Sequence, residues 1–205
     1  HDRWNYEDYI KDEHWRVDWI SFDGVVHSPS NNRIYCGITS FDADIFKVYD
    51  RDSDSFMDTD FASVADPFDA KFHRSMELTS DGRSLYAAPA LLHDIDNYWD
   101  APGGGIFHHD IAGGTTTKLG IPIPHVYIQS IALDEKRGVV YGMHFTPEHL
   151  SAFDLETGKG RDLGLIGSGF GMAQGENIIL DDAGCPWVGW AVTRAWQNTP
   201  GVESY

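Results

Sequence analysis

Residues 24–38 read GVVHSPSNNRIYCGI. Alternating apolar residues run into a polar stretch holding Ser and Asn, and a second alternating run carries Tyr35. That pattern is a β-hairpin: two half-buried strands joined by residues that tolerate tight turns. The same text returns three times, at 75–89 (SMELTSDGRSLYAAP), 130–144 (SIALDEKRGVVYGMH) and 177–191 (NIILDDAGCPWVGWA). An aromatic residue holds one nearly fixed place in each: Tyr35, Tyr86, Tyr141 and Trp187. These markers lie 51, 55 and 46 residues apart, so one unit is about 50 residues long.

Working outward, a second hairpin follows each of the first three units. Residues 45–50 (IFKVYD), 106–110 (IFHHD) and 150–154 (LSAFD) each end in aspartate. The turns are RDSDS, IAGG and LETGKG, and closing strands follow, such as 116–120 (TTKLG) and 160–164 (GRDLG). Four antiparallel strands per unit, repeated, describe β-propeller blades. No unit carries a helical stripe, and a β-sandwich would not repeat one motif four times. The expected fold is therefore all-β: a partial chain of about 3.5–4 blades from a six- to eight-bladed ring. A four-bladed ring closed by the N-terminal segment is the alternative. The expected organisation is a lead-in or tail of a preceding blade at 1–19, blade 1 at 20–60, blade 2 at 61–120, blade 3 at 121–164 and an incomplete blade 4 at 165–205.

Composition narrows the function. At 41% hydrophobic and 23% charged, the chain of 205 residues has a globular balance, which excludes a disordered polymer. Its apolar runs are too short for a membrane span. Asp and Glu number 32 against 15 Lys and Arg, a net charge of −17 that repels phosphate backbones, so nucleic-acid and membrane partners are not expected. The acidic surface suits a secreted or periplasmic, salt-exposed protein, although no leader precedes His1 in this sequence. Cys36 and Cys185 show no C-x-x-C or zinc spacing and read as free thiols.

Propeller geometry says where chemistry would sit. The start of the innermost strand and the end of the next strand share one face, around the channel. Histidines, a tyrosine, arginines and amides gather at those places. They are His73 and Arg74 before the second unit, His125, Tyr127 and Gln129 before the third, and Gln174 before the fourth. His93, His144, His149, Arg194 and Trp196 follow second strands, and His14 lies at the edge of the set. Histidine changes charge near neutral pH, so such a rim serves acid–base chemistry or metal binding. Tyrosine can protonate a leaving group, and arginine can grip a carboxylate through two N–H donors. A structural or catalytic divalent cation is compatible with these side chains, but none of them demands a cofactor.

Other patterns read more plainly. His108 and Asp110 share a strand face as a metal pair would, but Asp110 matches Asp50 and Asp154 and reads as a turn marker. The run from Asp50 to Asp54 lacks the glycine and glutamate of a calcium loop and reads as a solvated hairpin. Gly103-Gly104-Gly105 opens no helix and is no phosphate cradle, and there is no G-x-S-x-G elbow.

The run Lys71-Phe72-His73-Arg74-Ser75, the D-G-x-x-L-Y hairpin after it, and His93 twenty residues beyond His73 resemble propeller polysaccharide lyases. The ulvan lyases are the nearest type, and oligogalacturonate lyases are more distant. The resemblance spans residues 60–197. It implies β-elimination on a uronic-acid glycan, with an acidic polysaccharide or oligosaccharide as partner. That chemistry needs a group to neutralise the uronate carboxylate, a base for the C5 proton and an acid for the departing O4. The resemblance assigns His73 and His93 as the pair. Rim position adds Tyr127 as acid and Arg194 as neutraliser, with Arg74, His125, Gln129, His144, Gln174 and Trp196 as substrate contacts. Tyr141 is a rival tyrosine, though it is a blade marker. Two other readings stand beside the lyase. One is a non-catalytic propeller that binds a carbohydrate or protein. The other is a lactonase-like, metal-dependent hydrolase, to which Glu176 and Asn177 lend some support.

Overall fold

A computed structural model describes residues 21–40, 44–90, 100–145, 148–166 and 173–192. The strands fall into four antiparallel groups. The first holds β1 (Ser21–Ser28), β2 (Arg33–Thr39), β3 (Phe46–Asp50) and β4 (Ser55–Asp58). A single 3-10 turn, Phe61–Ser63, leads to the second group: β5 (Lys71–Leu78), β6 (Ser84–Ala90), β7 (Ile106–Asp110) and β8 (Thr115–Gly120). The third holds β9 (Tyr127–Asp134), β10 (Val139–Phe145), β11 (His149–Asp154) and β12 (Lys159–Leu165). The fourth is the hairpin of β13 (Ala173–Leu180) and β14 (Pro186–Val192). Each group is a blade of the propeller type, and the chain is all-β, as its repeat requires.

The first strands of consecutive blades line up side by side. Arg74 of β5 sits in parallel register with Ser130 of β9. This places β1, β5, β9 and β13 innermost, with later strands stepping outward. Two apolar layers hold the blades together. Tyr35, Phe46 and Ile38 of blade 1 pack with Phe72, Leu85 and Phe107 of blade 2, with Phe61 between them. Ala88 and Ile106 of blade 2 pack with Ile128, Ile131, Val140 and Phe153 of blade 3. Burying these side chains from water supplies the main stabilising term.

The marker aromatics keep one register. Tyr35 opposes Val26, Tyr86 opposes Glu77, Tyr141 opposes Ala132 and Trp187 opposes Ile179. They point toward the following blade. Tyr35 is buried there and Tyr86 packs on the layer shared with blade 3. On the fourth blade the same face is open: Trp187 is 61% exposed and Ile179 65%.

The turn chemistry is local. The hairpins between first and second strands place Gly82, Gly138 and Gly184 in the left-handed region, at φ 68°, 64° and 77°. Blade 1 uses Asn32 there, at φ 55°, the type of residue that best replaces glycine in that conformation. The repeated aspartates close the outer turns. Asp50 Oδ1 accepts the N–H groups of Asp52 and Ser53, Asp110 Oδ2 that of Gly113, and Asp154 Oδ1 that of Thr157. Both Asp110 and the run after Asp50 are thus turn formers. Blades 2, 3 and 4 are also tied at these inner turns. Ser80 donates its N–H and hydroxyl to the Glu135 carboxylate, and Arg137 Nη2 donates to the Ala183 carbonyl.

Gly37 shows how tightly blades 1 and 2 meet. A Cβ there would lie 2.5 Å from Phe72 Cβ and 2.8 Å from Met76 Sδ. Phe72 is fully buried and has nowhere to retreat. Gly37→Ala should therefore destabilise by about 1–3 kcal/mol through overpacking. A urea midpoint equal to that of the wild type would contradict this packing.

Candidate functional site

Two adjoining cavities open where the innermost strands begin. The outer one, about 230 Å³, is lined by Phe22, Asp23, His73, Arg74 and Gln129. The inner one, about 330 Å³, shares Asp23, His73 and Arg74 and continues along the channel between Val25, Met76, Ile131 and Ile178, with Glu77 and Asn177 in its wall. Their shared wall is a run of residues on β1 and β5.

These side chains meet because the repeat puts them in one position. The residue just before each repeated segment is Asp23 in blade 1, Arg74 in blade 2 and Gln129 in blade 3. The inner strands β5 and β9 run side by side with Arg74 opposite Ser130, the residue next to Gln129, and all three side chains line one cavity. Sequence reasoning expected His73 and Arg74 in a loop before the strand, and Gln129 likewise. The strands begin earlier, at Lys71 and Tyr127, so all three ride on strand backbone, which positions them more firmly than a loop would. Phe22 and Asp23 were not anticipated, although the signal was available: they precede the first repeat as His73 and Arg74 precede the second.

Polar contacts hold the site. Arg74 Nη1 donates to Asn177 Oδ1 at 3.0 Å, linking β5 to β13 across 103 residues of chain. Asp23 Oδ2 accepts the hydroxyls of Ser21 at 2.8 Å and Thr39 at 2.7 Å. Lys71, 7% exposed at the foot of β5, has its ammonium pushed down by burial, an effect that the Asp23 carboxylate opposes. Burial pushes the Glu77 carboxyl up. Phe22, 46% exposed, presents an aromatic face beside these polar groups.

The remaining candidates separate. His73, Arg74 and Gln129 are brought together. Tyr127 is not with them: it is 2% exposed, clusters with Ala90 and Ala101, and lines neither cavity. Burial of the ring corrects its expected place as an acid facing the channel. His125, in the left-handed region at φ 63°, has its Nδ1 against the Ala101 carbonyl at 2.8 Å. His144 is 1% exposed. Its Nε2 meets Ser151 Oγ at 2.8 Å and its Nδ1 the Val126 carbonyl at 3.3 Å. That pair has the look of a nucleophile and its base, but Ser151 is fully buried, so no substrate reaches it. Neither His125 nor His144 lines the cavities, so neither touches a ligand bound there. His149 is paired with Asp162 at 2.9 Å. His14, His93, Arg194 and Trp196 lie outside the described residues, as do the side chains of Gln174 and Glu176.

Tyr141 is half-buried in its marker place, and His108 bonds Ser84 Oγ at 2.8 Å. Among the described residues, no three His, Cys, Asp or Glu are grouped to hold a metal ion. Cys36 is buried and Cys185 exposed, both as free thiols. No helix among the described residues is long and apolar enough to cross a membrane.

Known structures carry the same architecture. The extracellular domain of BT4673 from B. thetaiotaomicron aligns over 83% of this chain and 20% of its own, with a TM-score of 0.57 and 14% identity. A Bacteroides thetaiotaomicron VPI-5482 protein of unknown function aligns over 80% of this chain and 36% of its own, with a TM-score of 0.55 and 14% identity. A chain of a nidogen/laminin complex aligns over 71% of this chain and 49% of its own, at 0.50 and 11%. The chain thus spans between a fifth and a half of the structures it resembles, and the likeness is one of fold. No family model and no curated protein sequence matches the chain.

Proposed function

We propose that this chain carries the uronate-binding mouth of an extracellular propeller that cleaves acidic polysaccharide by β-elimination. The observation that carries the reading is the shared cavity of His73, Arg74 and Gln129, with the Phe22 ring at its edge. An aromatic face beside planar hydrogen-bonding side chains is what a sugar ring needs: a surface to stack on and partners for its hydroxyls. Arg74 offers a guanidinium to the carboxylate, and withdrawing charge from that group acidifies the neighbouring C5–H. His73 is the base. It takes the C5 proton, the C4=C5 double bond forms, the C4–O4 bond breaks, and O4 leaves with a proton. Tyr127, buried away from the cavity, does not serve as the donor. The lyase resemblance keeps His93 for that step, and His73 can also return its own proton to O4. The extracellular domain among the structural relatives is in keeping with a secreted glycan-processing protein.

A second reading has its own support. With the Tyr127 hydroxyl buried, the described cavity has the equipment of a carbohydrate-binding surface with no tyrosine acid beside His73. One experiment separates the two. The protein is incubated with pectate, alginate, ulvan and glucuronan, and absorbance is followed at about 235 nm, where the elimination product's double bond absorbs. Binding is followed in parallel by calorimetry. Rising absorbance supports the lyase. Binding without absorbance leaves the non-catalytic propeller. Neither signal with any uronate glycan defeats both.

A further inference from the structure

We infer that Asp23 is a sugar-binding residue of the two cavities, its Oδ1 accepting a glycan hydroxyl, and that the buried Lys71 is the countercharge that lets a carboxylate stand in a site for acidic glycans. Asp23 lines both cavities and is exposed. Its carboxylate is held through one oxygen. Oδ2 accepts the Ser21 hydroxyl at 2.8 Å and the Thr39 hydroxyl at 2.7 Å. Oδ1 takes no hydrogen bond among the described residues. An ionised carboxylate is purely an acceptor, and a hydroxyl is the donor that every sugar ring supplies. The Phe22 ring and the Gln129 carboxamide line the same outer cavity, so a sugar stacked there meets an acceptor at Asp23 and an amide at Gln129.

Alone, the Asp23 carboxylate would repel a uronate. Lys71 offsets that repulsion. Thr39 pairs with Ser21 on one side and with Lys71 on the other, so the three residues form a row across β1, β2 and β5. Asp23 is tied to two members of that row by its hydrogen bonds. The third member carries the positive charge. Lys71 is 7% exposed, and the Asp23 carboxylate favours its ammonium against the cost of burial. A buried ammonium persists where an opposite charge balances it. Lys71 lines neither cavity, so it balances Asp23 from behind rather than touching a ligand. Of the three equivalent residues Asp23, Arg74 and Gln129, only that of blade 1 is acidic, and it is the one provided with this lysine.

The hydroxyl contact holds for any sugar; the countercharge rests on the uronate reading, and the test separates them. Calorimetry measures affinity for oligosaccharides of pectate, alginate, glucuronan and desulfated ulvan, and for their carboxyl-reduced, neutral counterparts. The proteins are wild type, Asp23→Asn and Lys71→Met, with urea midpoints as the check on folding. In Asp23→Asn the carboxamide oxygen can keep the Ser21 and Thr39 hydroxyls, which leaves an NH2 donor in place of Oδ1. Neutral-sugar binding should fall about tenfold, the loss of one charge-assisted acceptor. Uronate binding should fall less, because a repelling charge is lost with the acceptor. Lys71→Met keeps the buried volume and unmasks the repulsion, so uronate binding should weaken about threefold while neutral-sugar binding stays near wild type. The ratio of the two affinities thus moves in opposite directions in the two variants, which a general loss of packing does not produce. Wild-type affinities in both variants, or equal losses for both kinds of sugar, overturn the inference. A wild type that binds only the neutral sugars, and a weaker Asp23→Asn, uphold the hydroxyl contact and defeat the uronate reading alone. No binding of any of these sugars overturns both.

Discussion

On the proposed lyase reading, His73→Ala should lower β-elimination turnover by about 10²–10⁴-fold, the usual contribution of a positioned general base. The fold should survive the change. His73 is half-buried on the channel side of β5, outside both apolar layers that join the blades. Circular dichroism and the urea midpoint should therefore stay near wild type while kcat collapses. Arg74 should behave differently. Arg74→Ala would remove the group that the proposed mechanism uses to neutralise the carboxylate in both ground state and transition state, so KM should rise as kcat falls. Arg74→Lys keeps the charge but loses the two-pronged geometry, and it should recover only part of the loss. The contrast between the residues is the test of their roles. If His73→Ala turns over uronate glycan at the wild-type rate, the base lies elsewhere. The first place to look would then be His93, outside the described residues.

Much of the fold could be read because its signals are local. Alternation, a left-handed turn residue and a turn-closing aspartate need only a few neighbouring residues, and they recur with each blade. The same regularity makes Asp50, Asp110 and Asp154 turn formers rather than ligands, as the backbone N–H groups on their carboxylates show. The site was legible only in part. Its general place, the start of the inner strands, followed from propeller geometry, and His73, Arg74 and Gln129 do meet there. Two things were hidden. Register shifts interrupt the pairing of β5 with β6 between Phe72 and Met76, and of β9 with β10 at Met143 and His144. A bulge re-aims the side chains near it and leaves no mark in an alternation pattern. Tyr127 lies beyond the second shift and turns into the cluster with Ala90 and Ala101, although it is two residues from Gln129. The link from Arg74 to Asn177 spans two blades, and no short-range pattern reports a contact of that reach.

Acidification from pH 6.5 to 4 should cost about 4 kcal/mol of stability, as the net of two buried histidines and one buried aspartate. His109 is 5% exposed. Its ring packs edge-on against Tyr35 and Phe46, and burial pushes its pKa down to about 4. His144 is 1% exposed and burial pushes it down to about 4 as well. Between their ordinary value and 4, the unfolded chain binds a proton at each and the folded chain does not. Stability is therefore lost as pH falls through that window. Asp69 works in the opposite sense. Burial raises its pKa to about 6, and its Oδ1 has no hydrogen-bond partner. The folded form holds this proton when the unfolded form has released it, so stability is gained as pH falls through 6 toward 3.8. Two losses against one gain leave a slope of about one proton, or about 1.4 kcal/mol per pH unit. The turn aspartates, such as Asp50, Asp154 and Asp181, sit below the ordinary carboxylate range because backbone and side-chain donors favour their charged form. Their contribution holds above the ordinary value and fades only at lower pH, so it does not alter the slope in this window. Urea unfolding at half-unit steps from pH 4.5 to 7.5 measures the slope directly. Asp69→Asn removes the opposing group and should roughly double it, and His109→Gln should flatten it. A stability independent of pH across this range would mean that only one imidazole stays neutral in the fold, and a stability that rises on acidification would mean that both are protonated there, in conflict with the apolar packing around His109 and the burial of His144.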